Sequence, residues 1–447
     1  MEAFDRQGRR GREGALATAI SERASSLHTP AELDPLLDMI GDSRYVLVGE
    51  ASHGTSDFYR WRAELSKRLI AERGFSFVAV EGDWPDCYEV NRFVKAYADS
   101  GGSAFEVLHE FDRWPTWMWA NRDVVDFVTW LRDHNARLPA ERQTGFYGLD
   151  VYSLYESMAE VVRYLDGIDP EAARTARRAY ACFEPYAGDV QEYAHATTLV
   201  PTSCEDEAVS ILSTLRRKAP EYAADGREAY FNAEQNALVA RGAELYYRTM
   251  VRGGAGSWNV RDYHMVDTLE RLMRFHGPLA RAIVWEHNTH VGDARFTDMA
   301  RAGMVNVGQL MRQRHGDEGV VLVGFGSYHG TVIAAEEWGL PMQRMPVPEA
   351  RDESYEGVMH RCGIPELLLL FDGSDDGGVP GLDTVRGHRA IGVVYQPAHE
   401  RWGNYVPTIL PRRYDSFIFL DHTEALDPLH MPVQVTGEPP ETYPSGQ

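Results

Sequence analysis

The chain has 447 residues, 44% of them hydrophobic and 25% charged, an ordinary globular balance with length for one large domain or two smaller ones. Its 45 Lys and Arg against 67 Asp and Glu leave a formal net charge of −22, which repels phosphates and argues against a nucleic acid or an anionic membrane as partner. Four scattered cysteines, Cys87, Cys182, Cys204 and Cys362, contain no C-x-x-C and suggest neither a disulfide framework nor a zinc site.

The first dozen residues are rich in Arg and Gly and read as a disordered arm. No apolar segment of a signal peptide follows and no run is long enough to span a membrane, so a cytoplasmic location is expected. Helical signals appear near Ala15–Ser25 and at Pro30–Ile40, with Thr29 as N-cap and Pro30 at the first helical position. Tyr45–Val48 reads as a buried strand, Phe58–Arg73 as a helix ended by Gly74, and Phe77–Val80 as a second buried strand. Helices follow at Asp86–Tyr97 and Val124–His134, then a short strand at Gly145–Leu149.

From Ser153 to Met250 there is no convincing strand, and Glu228–Arg248 reads as one long helix. Asp262–Phe275 is another helix. Strand-like runs return at Ala282–Trp285, Val320–Gly324, Leu367–Phe371, Ile391–Tyr395 and Phe417–Leu420. This alternation predicts an α/β fold: a largely parallel central sheet flanked by helices, with an inserted helical subdomain. The expected division is an arm and helix start at 1–25, core at 26–152, a helical subdomain or lid at 153–279, core again at 280–432, and an irregular tail at 433–447.

Polar residues collect where these strands end. V-L-V-G-E-A-S-H-G-T delivers Glu50 and His53, F-V-A-V-E-G-D-W delivers Glu81, and Asp150 ends the Gly145 strand. In open α/β sheets, sites lie beyond the carboxyl ends of the strands. A lone His most often satisfies loop carbonyls, and a lone Glu caps a helix. Three strands bringing acids and a His to one edge is harder to explain by packing, because a buried unpaired carboxylate costs several kcal/mol. Arg62, on the following helix, could supply a fixed positive charge or form a surface ion pair; Arg60 competes for that role.

His287 and His290, in W-E-H-N-T-H, follow the Ala282 strand. They read as metal ligands completed by Glu50 or Glu81, as general acids or stabilisers in a metal-free site, or as structural residues. Asp293 and Arg295 read as supports. His329, in G-F-G-S-Y-H-G, is a weaker member of the same crevice. Ser327 lacks a G-x-S-x-G, and neither G-x-G-x-x-G nor a P-loop occurs. The dense W-P-T-W-M-W at Trp114–Trp119 is core packing or an apolar wall for a ligand.

Together these stretches resemble the erythromycin esterase family. G-E-A-S-H-G-T, R-W-R at Arg60–Arg62, V-E-G-D-W, Y-G-L-D at Tyr147–Asp150, W-E-H-N-T-H-V-G-D-A-R and G-N-Y-V-P at Gly403–Pro407 carry the likeness, which spans roughly Leu36 to Leu429. The resemblance implies ester or lactone hydrolysis without metal or other cofactor, acting on a small-molecule substrate. It implies His53 as the base that activates water, Glu50 and Glu81 holding water and imidazole, and Arg62 and His287 stabilising the intermediate or aiding the leaving alkoxide. His290, Asp150, His329, Trp84 and Trp117 are then expected around the substrate. The rivals are a metal-dependent hydrolase using His287 and His290, and a binding protein without turnover.

Overall fold

The computed structural model describes residues 2–186, 190–199 and 203–430. Among them run the strands β1 (Ser25–Ser26), β2 (Tyr45–Val48), β3 (Phe77–Val80), β4 (Gly145–Gly148), β5 (Ala282–Trp285), β6 (Val320–Ala334), β7 (Gln343–Val347), β8 (Glu366–Leu370), β9 (Arg386–Arg389), β10 (Tyr405–Thr408) and β11 (Ser416–Thr423). Strands β11, β6, β2, β5, β3 and β4 lie side by side in that order, all parallel. Antiparallel strands finish the sheet: β8 on β11, β1 on β8 and β7 on β6. A separate pair joins β9 to β10.

The short apolar strands are buried on both faces, as parallel strands between helices must be. Their side chains alternate. Val46, Val48, Val78, Val80, Ile283 and Trp285 enter one core. Tyr45, Leu47, Phe77, Ala79, Ala282 and Val284 enter the other. Helices Ser56–Arg73 and Arg122–Asn135 cover the first face, and Gly256–His276 and Val307–His315 the second.

The chain passes from β2 to β3 and leaves a gap between them, which β5 fills much later. Backbone bonds lock the three strand ends together: Asn288 N donates to Glu50 O at 2.8 Å, and Glu81 N to Trp285 O at 2.9 Å. Gly49 makes the approach possible, since a Cβ there would lie 2.1 Å from Asn288 Oδ1. Between β4 and β5 runs the helical block, from Leu154–Ile168 through Arg227–Met250 to Gly256–His276, much of it around a core of its own that includes Val161, Leu212, Leu215 and Tyr246.

Four expectations need correction. The Arg- and Gly-rich start belongs to a helix, Glu2–Arg23, anchored where Leu16, Ala17 and Ile20 bury against the sheet. Val320–Gly324 continues to Ala334 because β11 and β7 pair with its second half. Ile391–Tyr395 makes only the bridges Ser52↔Ile391 and Ala335↔Val394. Cys182 and Cys204 form a disulfide, their Cα atoms brought to 5.9 Å as the helical block folds back on itself. The tail expected at 433–447 lies outside the described residues. Among the described residues no helix is long and apolar enough to cross a membrane.

Candidate active site

Every carboxyl end from β2 to β4 contributes a polar side chain to one place. Glu50 and His53 leave β2, Glu81 leaves β3, Asp150 leaves β4 and His287 leaves β5. All of these but Glu50 line a cavity of about 90 Å³, together with His290. That is room for roughly six to nine waters.

One arm of the site is a chain of three charged or basic groups. His53 Nδ1 lies 2.8 Å from Glu50 Oε1, and Arg62 Nη2 lies 2.7 Å from Glu50 Oε2. Arg62 is fully buried and sits over the rings of Tyr59 and Trp285, at 4.2 and 5.1 Å. It stands behind Glu50 and does not line the cavity, so it orders the carboxylate rather than facing a substrate. Arg60, its competitor, points outward to Asp57.

The other arm centres on a residue that the motifs leave out. Arg261 donates to Asp150 through Nε at 2.9 Å and Nη2 at 2.6 Å, and its Nη2 reaches Glu81 Oε1 at 2.8 Å. Its Nη1 is 3.1 Å from His290 Nε2. Nδ1 of His290 lies 3.0 Å from Asp262 Oδ1, and its ring stacks on Trp258 with centroids 4.5 Å apart. Trp258, Arg261 and Asp262 share one face of helix Gly256–His276, at i, i+3 and i+4. An Arg-Asp pair on an otherwise apolar stripe, running on to Met265 and Leu269, was the available sequence signal.

Protonation follows from burial and these neighbours. Burial pushes Glu81 up, but His290 and Arg261 outweigh it and hold the carboxyl far below its ordinary range. Burial pushes His290 down, but Asp262 and Glu81 win and raise it to about 9. Burial, then the nearby His53, drive His287 well below the ordinary imidazole range. Its Nδ1 lies 2.8 Å from Thr289 Oγ1 and accepts from the Thr289 backbone N–H at 3.3 Å, contacts that suit a proton on Nε2. Among the described residues that Nε2 is buried without a hydrogen-bond partner. Glu286, buried beside them with neither oxygen bonded among the described residues, is raised well above the carboxylate range by burial.

The His290 shift makes a stability prediction. A folded pKa near 9 against roughly 6.5 unfolded gives stabilisation that is complete below the unfolded value and lost as pH rises through about 9. The wild type should lose about 3 kcal/mol more than His290→Gln between pH 6.5 and 9.5 in urea unfolding. Parallel pH profiles for the two proteins would refute the assignment.

Three expected substrate contacts sit elsewhere. Trp84 is wholly buried, stacks on Tyr88 and Tyr147, and donates from Nε1 to Asn232 Oδ1 at 2.8 Å. Trp117 turns into the core against Trp114, and its neighbour Trp119 reaches the cavity instead. His329 is carried past the crevice by the long β6, opposite His422 of β11. Buried Asp293 pairs with the exposed Arg295 and the buried Arg312, outside the cavity lining. Among the described residues no group of three or more His, Cys, Asp or Glu is placed to hold a metal ion.

Residues 70–423 match the family described as Erythromycin esterase. Erythromycin esterase type II of Escherichia coli is 21% identical over 362 residues, covering 76% of this chain and 83% of that protein. In fold the chain is similar to a succinoglycan biosynthesis protein, with a TM-score of 0.75, 21% identity, and 92% of this chain and 97% of that one covered. A Bacillus cereus protein gives a TM-score of 0.75 at 17% identity, covering 94% and 99%. A mutant of the erythromycin esterase EreC in its open conformation gives 0.66 at 16% identity, covering 90% and 97%.

Proposed function

The chain belongs to the erythromycin esterase family, and from this we propose that it hydrolyses a carboxylic ester or lactone with water as nucleophile and His53 as general base. The observation that carries the reading is the Arg62–Glu50–His53 alignment. Glu50 accepts a proton-bearing Nδ1, which leaves Nε2 as the basic nitrogen toward the cavity. A base so placed takes the proton from water as it attacks the carbonyl, an effect of about 10²–10⁴ in rate. The same imidazolium then returns the proton to the leaving alkoxide.

The developing oxyanion needs a donor. Among the described residues Nε2 of His287 meets no hydrogen-bond partner, and the His287 and His53 rings stand 4.8 Å apart, so base and donor lie within one small substrate's reach. Glu81 supports this by accepting the His287 backbone N–H at 2.8 Å while bonding Arg261. In its present shape the cavity suits a small ester.

Turnover in ¹⁸O-water tests the route. One label should enter the acid product, and the protein's mass should stay unchanged during turnover. An acyl adduct on the protein would overturn direct water attack.

A further inference from the structure

The loop that carries His287 and His290 is held from behind by a second carboxylate–imidazole pair, to which the steps above give no part. Glu356, on the helix Tyr355–His360, accepts from His388 Nδ1 at 2.7 Å and from Arg389 N at 2.8 Å. Nε2 of His388, on β9, lies 3.2 Å from Asn288 Nδ2. Glu356, His388 and Asn288 are all 0% exposed, and none of them lines the cavity.

Backbone groups fix which way the Asn288 amide points. Phe325 N of β6 donates to its Oδ1 at 3.3 Å, and its Nδ2 donates to Phe325 O at 2.7 Å. The second Nδ2 hydrogen therefore faces His388, whose Nε2 must accept it. The Nδ1 proton is directed at Glu356, so the ring is the neutral tautomer. Burial holds His388 below the ordinary imidazole range, which agrees with that state.

Asn288 also touches both halves of the reacting pair. Its N donates to the backbone oxygen of Glu50 at 2.8 Å, and the Glu50 carboxylate holds His53. Its chain neighbour is His287, and Arg413 Nη2 fixes the Asn288 backbone oxygen at 2.9 Å. An apolar filling would hold this loop as firmly at a lower desolvation cost; what the polar chain adds is direction. We propose that Asn288, oriented by His388 and Glu356, is a positioning residue that sets the spacing between His53 and His287. That this spacing serves ester cleavage rests on the hydrolytic reading above; the positioning itself does not.

Two variants of one residue separate positioning from packing. His388→Gln keeps an acceptor for Asn288 and gives up the bond to Glu356. His388→Asn keeps a donor to Glu356 and offers Asn288 nothing. A misplacement of about 1 Å costs about 10²-fold in rate, so His388→Asn should lower kcat by that factor with KM little changed, while His388→Gln retains most of kcat. Before any ester is added, ¹⁵N-histidine spectra should show the ring signals of His53 and His287 moved in His388→Asn and unmoved in His388→Gln. Asn288→Asp cannot donate to His388 or to Phe325 O, so it should match His388→Asn in both readouts, and it carries the test if His388→Asn does not fold. Equal kcat losses in the two His388 variants, or unmoved ring signals in Asn288→Asp, overturn the positioning and leave hydrolysis standing. Ring signals that move as expected in a protein that cleaves no ester support the positioning and count against the hydrolytic reading.

Discussion

His53→Ala is expected to lower kcat about 10³-fold on any ester that the wild type cleaves, with a much smaller change in KM. General base catalysis accounts for about 10²–10⁴ in rate, and the residue offers its ring to the cavity rather than to the core. Glu50→Gln should give a smaller loss. Its amide still meets the ring at the 2.8 Å position but no longer stabilises the imidazolium that forms. The check is steady-state kinetics on one common ester across the three proteins. A His53→Ala enzyme with near-native kcat would remove the base from the mechanism.

Arg62→Met should lower stability by about 3–5 kcal/mol, the cost of leaving a buried charge without its partner. Glu50 is 1% exposed, and Arg62 supplies the positive charge 2.7 Å from its Oε2. The guanidinium also covers the Tyr59 and Trp285 rings, and methionine restores most of that packing but none of the charge. The double variant Arg62→Met with Glu50→Gln should recover part of the loss, because no uncompensated carboxylate remains. Urea unfolding of the four proteins gives the coupling energy. Additive effects would show that the ion pair is not what Arg62 contributes.

Much of the candidate site was legible because it hangs on strand ends. Each short run of β-branched residues stops at a Gly or an acid, and parallel strands of one sheet must end at one edge. Glu50, His53, Glu81, Asp150 and His287 follow from that rule, and the structure brings all five together. Arg261, Asp262 and Trp258 escaped because they lie inside a helix whose periodicity only says that this face is buried. The neighbour it is buried against, His290, lies in another segment. Trp84 and Trp117 misled for the same reason. A tryptophan beside a motif faces the cavity or the core according to its place on a helical turn.

Local chemistry therefore determined the alternating elements, the sheet class and which loops carry titratable groups, since these depend on side-chain period and turn residues alone. Tertiary structure decided that β5 fills the gap between β2 and β3, that Arg62 rather than Arg60 turns inward, and that helix Gly256–His276 sends Arg261 to join Asp150 to Glu81. Those outcomes depend on segments far apart in sequence competing for one buried volume, where every charge must find a counter-charge.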